Sequence, residues 1–223
     1  MNTERLRELG ARAGWHAALA DVMRLAAVDE LSLGDKSPGE LQAALGLPSN
    51  LMSHHLKVLE EAGIVARRRS EGDRRRTYLT LTDRSVIQTP EAAIDADRVV
   101  FVCTANSARS QLAAAMWAQT TDIPVASAGT QPAERIATGA QRVAERHDLR
   151  LLSEAPRLFA NVAGDRDLVV AVCDNAYEDL GDVIDVHWSI PDPVRTGDVQ
   201  AFDDAYAELS RRVAILAPRL TEP

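Results

Sequence analysis

Thiols are scarce in this chain: its 223 residues include two cysteines, Cys103 and Cys173. Two cannot staple a small secreted scaffold, so the core must be held by apolar burial, for which the length suffices once or twice over. Long apolar runs are also missing. No stretch approaches the ~20 apolar residues of a membrane span, and the opening MNTERLRELG is too charged for a signal peptide. A cytoplasmic protein that does not enter a membrane is expected. What is present is ordinary for a soluble globular chain, with 46% hydrophobic and 26% charged residues.

The net charge of −8 is unevenly spread. Residues 1–90 carry 13 Lys and Arg against 12 Asp and Glu, whereas the remainder carries 12 against 21. Six arginines of the first part fall in one short segment, Arg67, Arg68, Arg69, Arg74, Arg75 and Arg76. Around them the spacing predicts helices. Trp15 to Leu25 repeats apolar residues at three and four. Ser37-Pro38-Gly39-Glu40 is a capping box that opens a second helix, ending at Gly46. A third starts at Pro48-Ser49, with Leu51, His55, Leu56 and Leu59 as its inward stripe and Gly63 as its stop. Two short helices around a glycine turn make a helix-turn-helix. Ile64–Arg68 and Thr77–Thr82 then read as strands of a hairpin around the polar turn Ser70-Glu71-Gly72-Asp73.

The run Leu41-x-x-x-Leu45-Gly46-Leu47, with Ser53-His54-His55-Leu56-Lys57-Val58-Leu59 and Ala62-Gly63-Ile64-Val65, resembles the ArsR-type winged-helix repressors over residues 10–85. That resemblance implies a double-stranded DNA operator as partner and a homodimer through the N-terminal helices. Ser49, Asn50, Ser53, His54 and Lys57 would face the major groove, and the six hairpin arginines would grip phosphates. One departure is clear. Arsenic-responsive members bind As(III) through cysteines of this domain, since As(III) is soft, and residues 1–98 have none. His16, His54 and His55 are poorly spaced for ligation, so no metal site is expected.

Beyond a Pro-bearing linker the pattern changes to apolar strands alternating with helices: Val99–Val102, Ser110–Gln119, Val125–Thr130, Thr138–His147, Leu168–Cys173, Ile184–Trp188 and Phe202–Leu216. Continuously apolar strands imply a parallel sheet covered by helices on both faces, with ligands at the strands' C-terminal ends. There the run Cys103-Thr104-Ala105-Asn106-Ser107-Ala108-Arg109-Ser110-Gln111 sets a cysteine at a strand end, then a loop of small residues, an arginine and a helix start. Backbone N–H groups of such a loop form an anion cradle. They and the Arg109 guanidinium stabilise a thiolate, joining a nucleophile to a fork-shaped oxyanion binder.

This stretch resembles the low-molecular-weight tyrosine phosphatase superfamily, and within it the arsenate reductases. Ser127-Ala128-Gly129-Thr130 and His187-Trp188-Ser189-Ile190-Pro191-Asp192-Pro193 extend the likeness over about 98–218. The resemblance implies catalytic roles for Cys103, Arg109, Asp192, Asn106 and Ser110. Cys103 attacks the oxyanion, Arg109 clamps it, Asp192 is the general acid, Asn106 holds the loop and Ser110 hydrogen-bonds the thiolate. Thr104, Ala105, Asn106, Ser107, Ala108 and Arg109 line the oxyanion seat. A tyrosine that commonly follows Asp-Pro in the phosphatases is replaced by Val194, and Ala105 stands where relatives often have Gly. Thioredoxin-coupled relatives use three thiols; here Cys173 takes the second position and Tyr177–Leu180 lacks the third. Cys173 is therefore either a resolving thiol or a buried strand residue. Electrons would come from an external thiol or a thioredoxin-, glutaredoxin- or mycoredoxin-like protein, with no tightly bound cofactor.

The organisation expected is a winged helix over 1–86, a linker over 87–97 and a phosphatase-like α/β domain over 98–223. The function expected is a DNA-binding repressor fused to an arsenate reductase, within arsenic resistance. Two alternatives stay open: an oxyanion-sensing regulator without turnover, and a phosphatase acting on tyrosine phosphate or small esters.

Overall fold

The computed structural model describes residues 2–82 and 94–221. They form two compact units. Residues 70–74, the turn of the predicted hairpin, group with the second.

In the first unit, α1 (Thr3–Leu19) ends where the sequence pattern had continued to Leu25. The reason is Asp21, whose carboxylate accepts the N–H groups of Met23 and Arg24 and so starts a new helix, α2 (Val22–Leu33). The capping box at Ser37 and Glu40 forms as expected and opens α3 (Pro38–Leu45), which Gly46 closes in the left-handed conformation. Next come α4 (Ser49–Glu61), β1 (Val65–Arg69) and β2 (Thr77–Leu81). The two strands pair antiparallel from Val65 opposite Leu81 to Arg69 opposite Thr77. Ala27, Val28, Leu31, Leu41, Met52, Leu56, Leu59, Ile64 and Leu79 make the core. Leu51 is not part of the inward stripe of α4: it is 40% exposed, and Met52 takes its place at 2%. Met52, Leu56 and Leu59 recur at four and three residues, the spacing that keeps one helical face inward.

The second unit runs β3 (Ile94–Asp95), β4 (Arg98–Cys103), α5 (Arg109–Thr120), β5 (Val125–Gly129), α6 (Thr138–Arg146), β6 (Asp167–Ala171), α7 (Asp174–Leu180), β7 (Val186–His187), α8 (Pro193–Thr196), α9 (Val199–Leu216) and β8 (Leu220–Thr221). Four strands form one parallel sheet in the order β5-β4-β6-β7. Consecutive residues Val99, Val100, Phe101 and Val102 are all fully buried, which requires cover on both faces. Phe101 packs its ring against Trp117 and Trp188. Of the expected linker, residues 87–93 lie outside the described residues, and Ile94–Asp95 instead pair in parallel with β8. The strand expected to reach Cys173 stops at Ala171, because Cys173 caps the helix that follows. Among the described residues no helix is long and apolar enough to cross a membrane.

Candidate oxyanion site

β4 ends at Cys103 in the middle of the sheet, and the chain turns through Thr104–Ala108 into α5. The carbonyls of this loop face outward. Those of Cys103, Thr104, Ala105 and Ser107 accept the N–H groups of Thr130, Gln131, Ala133 and Ala137 at 2.8–3.1 Å. In a trans peptide the N–H points opposite to its C=O. The N–H groups of Thr104, Ala105, Asn106 and Ala108 therefore point away from those partners, and that of Asn106 lies 3.2 Å from Cys103 Sγ. A loop whose N–H groups share one concave side has the geometry of an anion nest.

Asn106 holds the loop. It has φ +47°, in the left-handed region that Asn tolerates better than most side chains. The strained position is therefore Asn106, and Ala105 escapes the need for glycine. The buried Asn106 side chain donates to Ser110 Oγ at 2.9 Å and accepts the Arg157 N–H at 2.8 Å. Gln111 adds donations to the Asn106 carbonyl and side chain. Ser110 Oγ in turn sits 3.1 Å from Cys103 Sγ. Gly129 permits the close approach of the next strand: a Cβ there would meet Thr104 O at 2.5 Å.

Arg109 is 5% exposed and reaches across the loop. It donates to the Ile190 carbonyl at 2.8 Å, and its Nη2 is 3.2 Å from Asp192 Oδ2. Burial alone would pull its pKa down. Interactions with Cys173, Cys103, Asp192 and Glu71 act the other way and hold it above its ordinary value. Asp192 caps α8, accepting the Val194 N–H, with one oxygen left toward Arg109. Thr104 Oγ1 is 3.5 Å from Cys173 Sγ, so the second thiol borders the same loop. Burial pushes the Cys173 thiol upward; Arg109 works against this but does not reverse it.

Cys103, Asn106, Ser110, Arg109, Asp192 and Cys173 thus converge at the C-terminal edge of the sheet. Three features here were not assigned a role from the sequence. Gln111 and Arg157 brace Asn106. Asp174, directly after Cys173, bonds His187 at 3.0 Å, and both are buried. The Tyr177 ring stacks on His187 at 4.1 Å. Burial acts to raise the Asp174 pKa, but bonds from His187 and the Glu71 N–H hold it below its usual range. Glu71 is the third: its carboxylate lies 3.7 Å from Arg109 Nη1.

In the first unit Ser49, Asn50, Ser53, His54 and Lys57 are all exposed along one side of α4. Arg67, Arg69, Arg74, Arg75 and Arg76 are exposed and Arg68 half-buried; Arg67 is paired with Glu60 at 2.7 Å. His55 is buried, 3.6 Å from Asp21.

A family model described as low molecular weight phosphotyrosine protein phosphatase matches residues 98–223, and a helix-turn-helix domain model matches residues 19–68. No curated protein sequence matches the chain. Among solved structures, an arsenate reductase from Archaeoglobus fulgidus is 31% identical, with 53% of this chain and 97% of that one covered and a TM-score of 0.47. A tyrosine phosphatase of Erwinia amylovora is 21% identical, with coverages of 57% and 95% and a TM-score of 0.49. An arsenate reductase in the phosphate binding state is 24% identical, with coverages of 56% and 99% and a TM-score of 0.48.

Proposed function

Because the chain belongs, through residues 98–223, to the low molecular weight phosphotyrosine protein phosphatase family, we propose that its second unit is a cysteine-dependent arsenate reductase joined to a DNA-binding repressor. The observation that carries this reading is the nest around Cys103, closed by a buried guanidinium and bordered by a second thiol.

Arsenate sits with its oxygens on the inward N–H groups of Thr104–Arg109 and on the Arg109 fork. Cys103 Sγ, as thiolate, attacks arsenic; an oxygen leaves as water, taking its proton from Asp192. Ser110 and the Asn106 N–H stabilise the sulfur before attack, and Asn106 keeps the nest in shape. A second thiolate then attacks Cys103 Sγ. The S–S bond forms, the S–As bond breaks, and its electron pair stays with arsenic, which leaves as arsenite. Cys173 is the internal candidate for that thiolate, at the cost of deprotonating a buried group. A thioredoxin-, glutaredoxin- or mycoredoxin-like dithiol returns Cys103 to the reduced state.

The burial of Cys173, which is 1% exposed and whose thiol burial pushes upward, favours a second reading, in which the same nest hydrolyses phosphate esters and Cys173 stays inert. One experiment separates the two. Reduced protein is mixed with arsenate in the absence of added thiol, and arsenite and intact mass are measured. Arsenite up to one equivalent with loss of two hydrogens supports internal reduction. No arsenite with or without added thiol, but turnover of an aryl phosphate, supports the phosphatase.

For the first unit, the exposed side of α4 supports major-groove contact through Ser49, Asn50, Ser53, His54 and Lys57. The hairpin arginines supply phosphate contacts, and a homodimer through the N-terminal helices reads a two-fold operator. The chain then acts in the cytoplasm.

A further inference from the structure

We propose that Glu71 is a resident competitor for the oxyanion seat, so that an incoming anion must displace the segment Ser70–Arg74 from it; this rests on the cradle reading above. Residues 70–74 belong to the second compact unit. Glu71 Oε2 lies 3.7 Å from Arg109 Nη1 and accepts the Asp192 N–H at 3.0 Å. Its other oxygen is 3.8 Å from Arg195 Nη1. A carboxylate therefore holds the guanidinium and the backbone donor of the acid loop, partners that an oxyanion in the nest would seek.

The segment is seated by specific bonds. The Glu71 N–H donates to Asp174 Oδ2 at 2.8 Å and the Asp73 N–H to Glu178 Oε2 at 2.6 Å, while Ser70 Oγ donates to Glu178 Oε1 at 2.7 Å. Both of these N–H groups and the Ser70 hydroxyl find their acceptors on α7, which starts beside Cys173, while the Gly72 N–H donates to Ser70 Oγ. Gly72 is what lets the turn come so near: a Cβ there would stand 2.4 Å from Glu178 Oε2 and 2.7 Å from Asn175 Oδ1. This fit needs no side chain at 72 and a carboxylate at 71.

A dianionic oxyanion and the Glu71 carboxylate cannot share Arg109 without strong like-charge repulsion in so dry a place. Phosphate or arsenate must expel the carboxylate, and its departure loosens the turn. Glu71 thereby sets the affinity of the cradle, and anion occupancy is felt at residues 70–74.

The test uses the full chain, reduced, with inorganic phosphate as the probe. Calorimetry compares the parent with Glu71→Gln, which keeps the shape and removes the charge. Phosphate is expected to bind the variant about five- to tenfold more tightly, the loss of one half-buried ion-pair competitor. Gly72→Val, which dislodges the segment by a different route, should give a gain of the same sign. Hydrogen exchange supplies the second readout: saturating phosphate should speed exchange of the Glu71 and Asp73 amides in the parent. Equal phosphate affinity in the parent and Glu71→Gln overturns the inference while leaving the cradle intact. Failure of every variant to bind phosphate overturns the cradle reading and the inference together.

Discussion

The two units use their polar residues in opposite ways. In the first, Ser49, Asn50, Ser53, His54, Lys57 and five of the six hairpin arginines lie exposed over an apolar core. In the second, Asn106, Ser110, Gln111, Arg109, Asp174 and His187 are all buried. A surface that meets a polyanion needs only charge and shape, and water fills in the rest. A site that stabilises a developing charge needs dipoles fixed beforehand, and buried dipoles cost stability unless each has a partner. The nest meets that condition through a chain of bonds from Arg157 and Gln111 through Asn106 to Ser110 and Cys103.

The contrast breaks hardest at the sulfur. Cys103→Ser should lower turnover of arsenate or aryl phosphate by at least about 1,000-fold, since a serine hydroxyl there has no base to activate it. DNA affinity in a gel-shift assay should be unchanged. Residual activity near the parent level would remove Cys103 from the mechanism.

Next in size is the approach of β5 to the loop. Gly129→Val places a branched side chain against Thr104 O and Asn106 N. Thermal unfolding should report a loss of about 2–3 kcal/mol, the cost of overpacking a site that cannot relax. Phosphate binding by calorimetry should disappear at the same time. A variant with parent stability and affinity would show that the loop carbonyls are free to move.

How far each part was legible follows from where its determinants lie in the chain. Cys103 to Gln111 is contiguous, so the strand end, the nest and the arginine could be read from spacing alone. The capping box at Ser37 was local in the same sense. At Asp21 the apolar period runs on unbroken, and only its bonds to Met23 and Arg24 reveal the break between the helices. Leu51 stands one helical position off the inward face that Met52 occupies, a step too small for apolar spacing alone to resolve. Arg157, Gly129 and Asp174 act on residues tens of positions away, and no local pattern announces such a pairing. His187 was visible as a motif letter, but its partner was not.

Asp174 gives a smaller and pH-dependent effect. Its pKa is held below the ordinary carboxylate value against the pull of burial, chiefly by His187. Such a group stabilises the fold at pH values above its unfolded pKa, and the contribution fades as pH falls through the folded value. Asp174→Asn should cost about 1–3 kcal/mol at neutral pH, the range for weakening a buried charged bond. The difference between parent and variant in chemical denaturation should begin to shrink below about pH 4, the unfolded carboxylate's pKa, and close as pH falls through the lower folded value. A constant difference across the pH range would mean that shape, not charge, ties α7 to β7.

The smallest change tests the exposed side. Lys57 is open to solvent on α4, with a surface pair to Glu61 at 3.7 Å that adds little to stability. Lys57→Ala should leave the melting temperature within error and leave oxyanion chemistry untouched. Operator or nonspecific DNA binding should weaken, and the slope of log affinity against log salt should fall by about 0.9 if one phosphate contact is lost. An unchanged slope with altered sequence preference would place Lys57 against a base edge instead, since base contacts carry specificity and phosphate contacts carry the salt dependence. Either result keeps α4 at the DNA. Unchanged affinity at every salt concentration would take Lys57 out of the interface and leave the contact to the hairpin arginines.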